Sequence, residues 1–129
     1  MTKFEELMAE YDDELIVEER SIKIDGLYAD GFAWIKYDLT NAEKYCTLAE
    51  ELGHHYTTSG NIINQNDVDN QKQELRARRW AYEKILPAEE ILRAASAGCS
   101  EVWQFAEFLE VSEEFMRSAL IHYGILDIA

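Results

Sequence analysis

A single proline, Pro87, stands in the 129 residues, and it falls directly after a long stretch of helical texture. Proline lacks the N–H that a helix interior needs and its ring clashes with the preceding turn, so Pro87 ends a helix at Leu86. No stretch is repetitive or low in complexity, and no linker composition divides the chain. The expectation is therefore one domain over residues 1–129, in the order helix, short sheet, helices. At 47% hydrophobic, the chain can bury a core without disulfides.

The local patterns fill in that order. Phe4, Leu7, Met8 and Tyr11 recur at i, i+3, i+4, i+7, which predicts an N-terminal amphipathic helix. From Leu15 to Tyr37 the texture changes. Ile22 and Ile24 alternate around Lys23, Gly26 and Asp30-Gly31 are turn signals, and Leu27-Tyr28-Ala29 and Phe32-Ala33-Trp34-Ile35 flank the latter pair as hairpin arms. Two or three short antiparallel strands are expected there. Asp38 to Asn41 are capping types and predict a helix from about Asn41 to His55 or a little beyond, with Tyr45, Leu48 and Leu52 as its buried stripe. Ser59-Gly60-Asn61 would end it, and Asp67 would cap the following helix. In the C-terminal third, Ile91 and Leu92 open one helix, Gly98 breaks it, Ser100 caps the next and Ser112 caps the last.

Charge and cysteine content restrict the function. With 26 acidic and 12 basic residues the formal net charge is −14. Nucleic-acid affinity comes mainly from Lys and Arg displacing counterions, so neither nucleic acid nor an anionic membrane is an expected partner. Two cysteines, Cys46 and Cys99, make no disulfide framework and fit a reducing, cytoplasmic setting. No apolar run approaches the ~20 residues that span a bilayer, and Met1 to Glu10 carries charges throughout with no signal-peptide core.

The most informative stretch is Ala49-Glu50-Glu51-Leu52-Gly53-His54-His55. Zinc hydrolases use His-Glu-x-x-His on a helix, because residues i and i+4 lie one turn apart on one face and reach one ion. The glutamate at i+1 can then take a proton from the attacking water. Here Glu51 holds the base position and His54 the second ligand position, with Glu50 in place of the first histidine. A carboxylate is a legitimate zinc ligand, and it adds one negative charge to the site. Moving the frame to His55 would put Leu52 at the base position, which has no proton chemistry. A catalytic zinc needs a third protein ligand, and Glu74 near the start of the next helix is the natural candidate. Ala77 and Ala81 on its side of that helix are small enough for close approach. The alternative reading of these residues is ordinary: solvated helix carboxylates, and a histidine favoured by the helix dipole.

Leu48-Ala49-Glu50-Glu51-Leu52-Gly53-His54 resembles the active-site helix of the ImmA/IrrE-type metallopeptidases of phages and mobile elements of Gram-positive bacteria. That helix typically reads Leu-Ala-His-Glu-Leu-Gly-His, and the match departs from it only at Glu50. Glu74, Ala77, Trp80, Ala81 and Leu86-Pro87 resemble the family's downstream ligand helix, and Gly26-Leu27-Tyr28 resembles the strand before the active-site helix. The resemblance spans roughly Phe4 to Pro87, and the C-terminal helices resemble those of a short phage-type subgroup. It implies a zincin-like α+β fold: N-terminal helix, small antiparallel sheet, active-site helix plus ligand helix, and a C-terminal helical bundle. Residues 1–87 would be the catalytic core and 88–129 a helical extension. It further implies a Zn²⁺ cofactor held by Glu50, His54 and Glu74, Glu51 as catalytic base, and a helix-turn-helix repressor as protein substrate. A catalytically inactive protein-binding module acting on such a regulator is the alternative.

The remaining candidates have weaker claims. His55 and Tyr56 either bind substrate or merely finish their helix. Cys46 reads as packed and Cys99 as inert, and His122 has no partner in sequence. Arg76, Arg78 and Arg79 form a basic island that could neutralise the site's carboxylates, bind an acidic partner, or form a solvated face with Glu83 opposite Arg79. Trp103 to Leu120 has the layout of a helix-turn-helix. Between Ala94 and Ala129, however, six acidic residues stand against Arg117 alone, so packing or protein docking is expected there rather than DNA binding.

Overall fold

The structure is a computed structural model describing residues 1–57 and 67–128, with backbone only for 67–70. The expected helix end at Ser59-Gly60-Asn61 and the expected cap by the Asp67 side chain lie outside the described residues.

The order of elements is α1 (Lys3–Glu10), β1 (Ile16–Arg20), β2 (Gly26–Ala29), β3 (Phe32–Lys36), α2 (Asn41–Thr57), α3 (Asp67–Ile85), α4 (Ala88–Ser96), α5 (Val102–Leu109) and α6 (Glu113–His122). This is an α+β fold. Helix α1 starts in a capping box between Thr2 and Glu5 and buries Phe4 and Leu7, the first two residues of its apolar stripe. Helix α2 starts the same way: the Glu43 N–H donates to Thr40 Oγ1 at 3.1 Å and the Thr40 N–H to Glu43 Oε1 at 3.0 Å. Pro87 follows the end of α3 and serves as the N-cap residue of α4, where its missing N–H costs nothing.

The sheet is mixed, which corrects the wholly antiparallel expectation. Its order is β1-β3-β2. Strands β2 and β3 form the expected hairpin, with Asp30 and Gly31 both at positive φ (45° and 83°), as a tight two-residue connection requires. Strand β1 instead pairs parallel to β3, from Ile16 opposite Phe32 to Arg20 opposite Lys36. A parallel pair needs a return path of about a dozen residues. Residues 21–31 supply it, with β2 inside the path. Ile22 and Ile24 alternate in sequence but lie in the crossing over the end of β3 and not in a strand, and the Lys36 N–H donates to the Asp25 carbonyl at 2.8 Å.

Strand β3 turns Ala33 and Ile35 inward onto α2 and leaves Phe32 and Trp34 outward. Leu48 and Leu52 of α2 are fully buried with Ile35, Leu86, Leu109 and Met116, in one core that runs from the sheet through the C-terminal helices. Burying one such side chain contributes about 1.5–3 kcal/mol. Phe105, Ala106 and Leu109 of α5 and Phe115, Met116, Ala119 and Leu120 of α6 are buried, so the helix-turn-helix-like segment packs into this core. The N-cap of α5 is Glu101 and not the expected Ser100. Gln104 Oε1 accepts from the N–H groups of both Ser100 (2.8 Å) and Glu101 (3.0 Å), which moves the helix start one residue on. Ser112 caps α6 as expected, its hydroxyl accepting from the Phe115 N–H at 3.2 Å.

Candidate active site

Helices α2 and α3 lie against each other along the motif, and Gly53 sets how closely. A Cβ at Gly53 would stand 2.2 Å from the Ala77 carbonyl oxygen and 2.9 Å from the Ala77 Cα. Only glycine permits that approach, and Ala77 and Ala81 are fully buried in the seam. The approach brings His54 of α2 to Glu74 of α3, with Nε2 to Oε2 at 3.0 Å. Each partner responds as a charged pair should. The hydrogen bond to Glu74 pushes His54 above the ordinary histidine value against the opposing effect of burial. The bond to His54 holds Glu74 below the ordinary carboxylate value.

Glu51 points its carboxyl toward the start of β2. A Cβ at Gly26 would fall 2.6 Å from Glu51 Oε2 and 2.5 Å from Thr47 Cγ2, so the strand can lie this close only because residue 26 is glycine. Glu51 is 8% exposed, and burial pushes its carboxyl up to about 7; nearby Glu50 and Glu74 add to the rise and His54 opposes it. Glu50, half-buried one turn before His54, is also raised by burial, with the Arg78 guanidinium as the chief opposing influence. Among the described residues, no hydrogen bond or ion pair reaches the Glu50 or Glu51 carboxyl. A buried carboxylate without a partner is costly, and these two mark a local shortage of positive charge.

The carboxyls line an open cavity of about 470 Å³. Arg78 and Tyr82 of α3 line it as well, as do Asp25 and Gly26 at the start of β2. Sequence reasoning missed another part of the wall: Ser112, the N-cap of α6, and Glu114, Phe115 and Ser118 within that helix. Ser112 was legible as a cap, but no spacing signal joins α6 to a motif some sixty residues earlier. Of the basic island, Arg78 is the residue that lines the cavity, consistent with neutralising the carboxylates.

The other candidates are accounted for by packing. His55 Nδ1 shares a 2.7 Å hydrogen bond with the Tyr28 hydroxyl, which also accepts from the Gly31 N–H at 3.3 Å, and His55 Nε2 stands 3.7 Å from Glu14. Tyr56 donates to Glu14 and stacks on Trp80 with ring centroids 5.2 Å apart. These contacts tie the end of α2 to the hairpin and to α3. Cys46 is buried beside the Ser112 hydroxyl, and burial pushes its thiol up to about 12. Cys99 is half-buried, its thiol 3.6 Å from the Gln104 carbonyl. His122, without a partner in sequence, lies 3.9 Å from Glu83 and between the rings of Tyr82 and Tyr123.

Whether these residues suit a divalent cation turns on donor type, charge and number. Imidazole and carboxylate oxygens are zinc donors, and the shortage of positive charge around Glu50 and Glu51 suits a cation. Two ligands about 2.1 Å from a tetrahedral ion stand about 3.4 Å apart, within about half an ångström of the 3.0 Å His54–Glu74 spacing. The number falls short: among the described residues no three His, Cys, Asp or Glu side chains are gathered into a metal-holding group. The expected donors therefore suit a cation in type and charge, and two of them, His54 and Glu74, are held together as an ion pair.

A family model, Peptidase_M78, the IrrE N-terminal-like domain, matches residues 9–120. No curated protein and no solved structure matches the chain.

Proposed function

Because the chain belongs to the Peptidase_M78 family of IrrE N-terminal-like domains, and so has a metallopeptidase-like function, we propose that it is a zinc-dependent peptidase that cleaves a helix-turn-helix repressor of a phage or mobile element. The observation that carries this reading is the 3.0 Å bond from His54 to Glu74, a carboxylate that lines one cavity with the buried, unpartnered Glu51. Glu50, His54 and Glu74 would hold the zinc, with Glu50 as the donor that must close onto the existing pair. Bound zinc would polarise the scissile carbonyl and acidify a water.

Glu51 is the general base. A carboxyl held at about 7 takes up and releases a proton near neutral pH, so it can accept the proton of the attacking water and deliver it to the leaving amine. Arg78 limits the build-up of negative charge beside Glu50. Residues 1–87 supply these groups, and residues 88–129 form the extension whose α6 walls the cavity. A protein substrate follows from the family, and a net charge of −14 favours a basic DNA-binding protein over DNA itself. No described helix is long and apolar enough to cross a membrane. Two free cysteines support a cytoplasmic setting.

One observation favours a second reading, a binding module that grips the regulator without cutting it: among the described residues three donors are not gathered. Zinc analysis and repressor digestion separate the two. Peptidase action requires metal content that falls in His54→Ala and Glu74→Ala. It also requires Glu51→Gln to keep metal and fold while losing cleavage by ~100–10,000-fold. Cleavage retained in Glu51→Gln refutes the mechanism, and repressor binding without cleavage by the zinc-loaded parent selects the binding module.

A further inference from the structure

Six carboxylates line the cavity, those of Asp25, Glu43, Glu50, Glu51, Glu74 and Glu114, and Arg78 is the one Lys or Arg among the described lining residues. We propose that the cavity selects a peptide carrying a basic side chain, lysine or arginine, and that Asp25 and Glu114 are the residues that read it. The word substrate here rests on the peptidase reading; the preference for a cationic side chain does not.

The charge balance carries the argument. Against these six acidic groups stand the Arg78 guanidinium in the lining and the His54 imidazole bonded to Glu74, so acidic groups remain in excess. Glu43 is engaged at the start of α2 by the Thr40 N–H, and Glu74 by His54. Asp25, just before β2, and Glu114, in the first turn of α6, both line the cavity, and neither carboxylate has a hydrogen bond or ion pair among the described residues. Glu51, 8% exposed and equally unpartnered, lines the same cavity. A buried carboxylate in that state calls for a positive partner.

The competing attraction, of an anion to the N-terminus of α6, is already answered. The Ser112 hydroxyl takes the Phe115 N–H, and Glu113 and Glu114 occupy the first turn. The same wall offers apolar cover for a long side chain, since the rings of Tyr82 and Phe115 stand edge to face at 5.1 Å and both line the cavity. A lysine or arginine stem can lie on those rings with its head among the carboxylates. An acidic side chain would be repelled there. A neutral one would shield Asp25 and Glu114 from water without pairing them.

The test uses three fluorescein-labelled peptides identical except for a central lysine, norleucine or glutamate, titrated by fluorescence anisotropy into the full chain. Parent protein stripped of metal with EDTA prevents turnover during the measurement and keeps Glu51 in place. The lysine peptide should bind about tenfold more tightly than the norleucine peptide at 0.1 M salt, and the difference should shrink toward nothing at 1 M, where the Debye length is ~3 Å. Glu114→Gln and Asp25→Asn should each remove about threefold of the preference, and together all of it, with melting temperatures matching the parent. Equal binding of the lysine and norleucine peptides overturns the proposal. So does a lysine preference that survives both substitutions, or no binding of the lysine peptide at millimolar protein. Lysine preference without cleavage by the parent would sink only the peptidase reading, whereas equal cleavage of all three peptides would sink only this one.

Discussion

Replacing Gly53 with alanine sets two effects of opposite sign against each other at the seam of the site. In a helix interior alanine is favoured over glycine by about 1 kcal/mol, so propensity alone makes Gly53→Ala stabilising. The structure predicts the reverse. The new Cβ would lie 2.2 Å from the Ala77 carbonyl oxygen and 2.8 Å from the Ala77 carbonyl carbon, atoms of a helix backbone that cannot rotate away. Reaching ordinary contact near 3.4 Å requires α2 and α3 to part by about 1 Å, and a gap of that size forfeits up to half of each dispersion contact along the seam. Overpacking of this kind costs about 1–3 kcal/mol. With rigid backbone on the far side the upper end applies, which leaves a net loss of about 2 kcal/mol. For 129 residues the unfolding entropy is about 0.27 kcal/mol/K, so the melting temperature should fall by about 7 °C. Thermal unfolding followed by circular dichroism at fixed pH and protein concentration reads this directly. Ala77→Gly in the same chain should not rescue it, because the clashing atoms are backbone. A Gly53→Ala protein that melts at or above the parent temperature would refute the close-approach reasoning, and with it the account of how His54 reaches Glu74.

Gly26→Ala should behave differently, because the atoms its Cβ would meet, Thr47 Cγ2 at 2.5 Å and Glu51 Oε2 at 2.6 Å, belong to side chains that can rotate. The expected result is a stability loss within about 1 kcal/mol and, under the proposed peptidase action, a fall in cleavage rate of about 100-fold, since displacing Glu51 as the proposed base by about 1 Å is enough for that; cleavage within threefold of the parent would count against that role of Glu51. For Cys46 the sign follows from a thiol pushed from 9.0 up to about 12: it stays protonated until the pH approaches 12, so at pH 8 its reactive thiolate is about a thousandfold scarcer than at the ordinary value. Iodoacetamide at pH 8 should label native protein at Cys99 and reach Cys46 only after unfolding in urea, as read by peptide mass mapping, and equal labelling of both in the folded chain would contradict the burial.

Much of this molecule was legible along the chain because local pattern and local conformation share a period. The stripe Phe4, Leu7, the capping residues Thr40 and Ser112, and the stop at Pro87 each act within one or two helical turns, and each appears in the structure where the residues put it. The Glu50, Glu51 and His54 spacing is of the same kind: i and i+4 share a helix face whatever the rest of the fold does. Local pattern reaches no further than its own element. The alternation of Ile22 and Ile24 looks like a strand, yet β3 already has β1 on one side and β2 on the other, so those residues became the crossing between them. Which helix would wall the cavity was invisible too. Glu114 and Phe115 reach it because α6 packs on α3 through a shared core, an outcome of long-range burial with no sequence period. Spacing suggested Glu74 as a partner of the motif helix, but the 3.0 Å contact with His54 exists because two glycine-dependent close approaches, at Gly53 and Gly26, clamp α2 between α3 and β2. The sequence by itself thus determined most of the helices, the β2–β3 hairpin and which residues share a face of α2. The tertiary structure decided which carboxyls are buried, which are paired and what closes over them, because proximity between distant segments follows from packing the whole core at once.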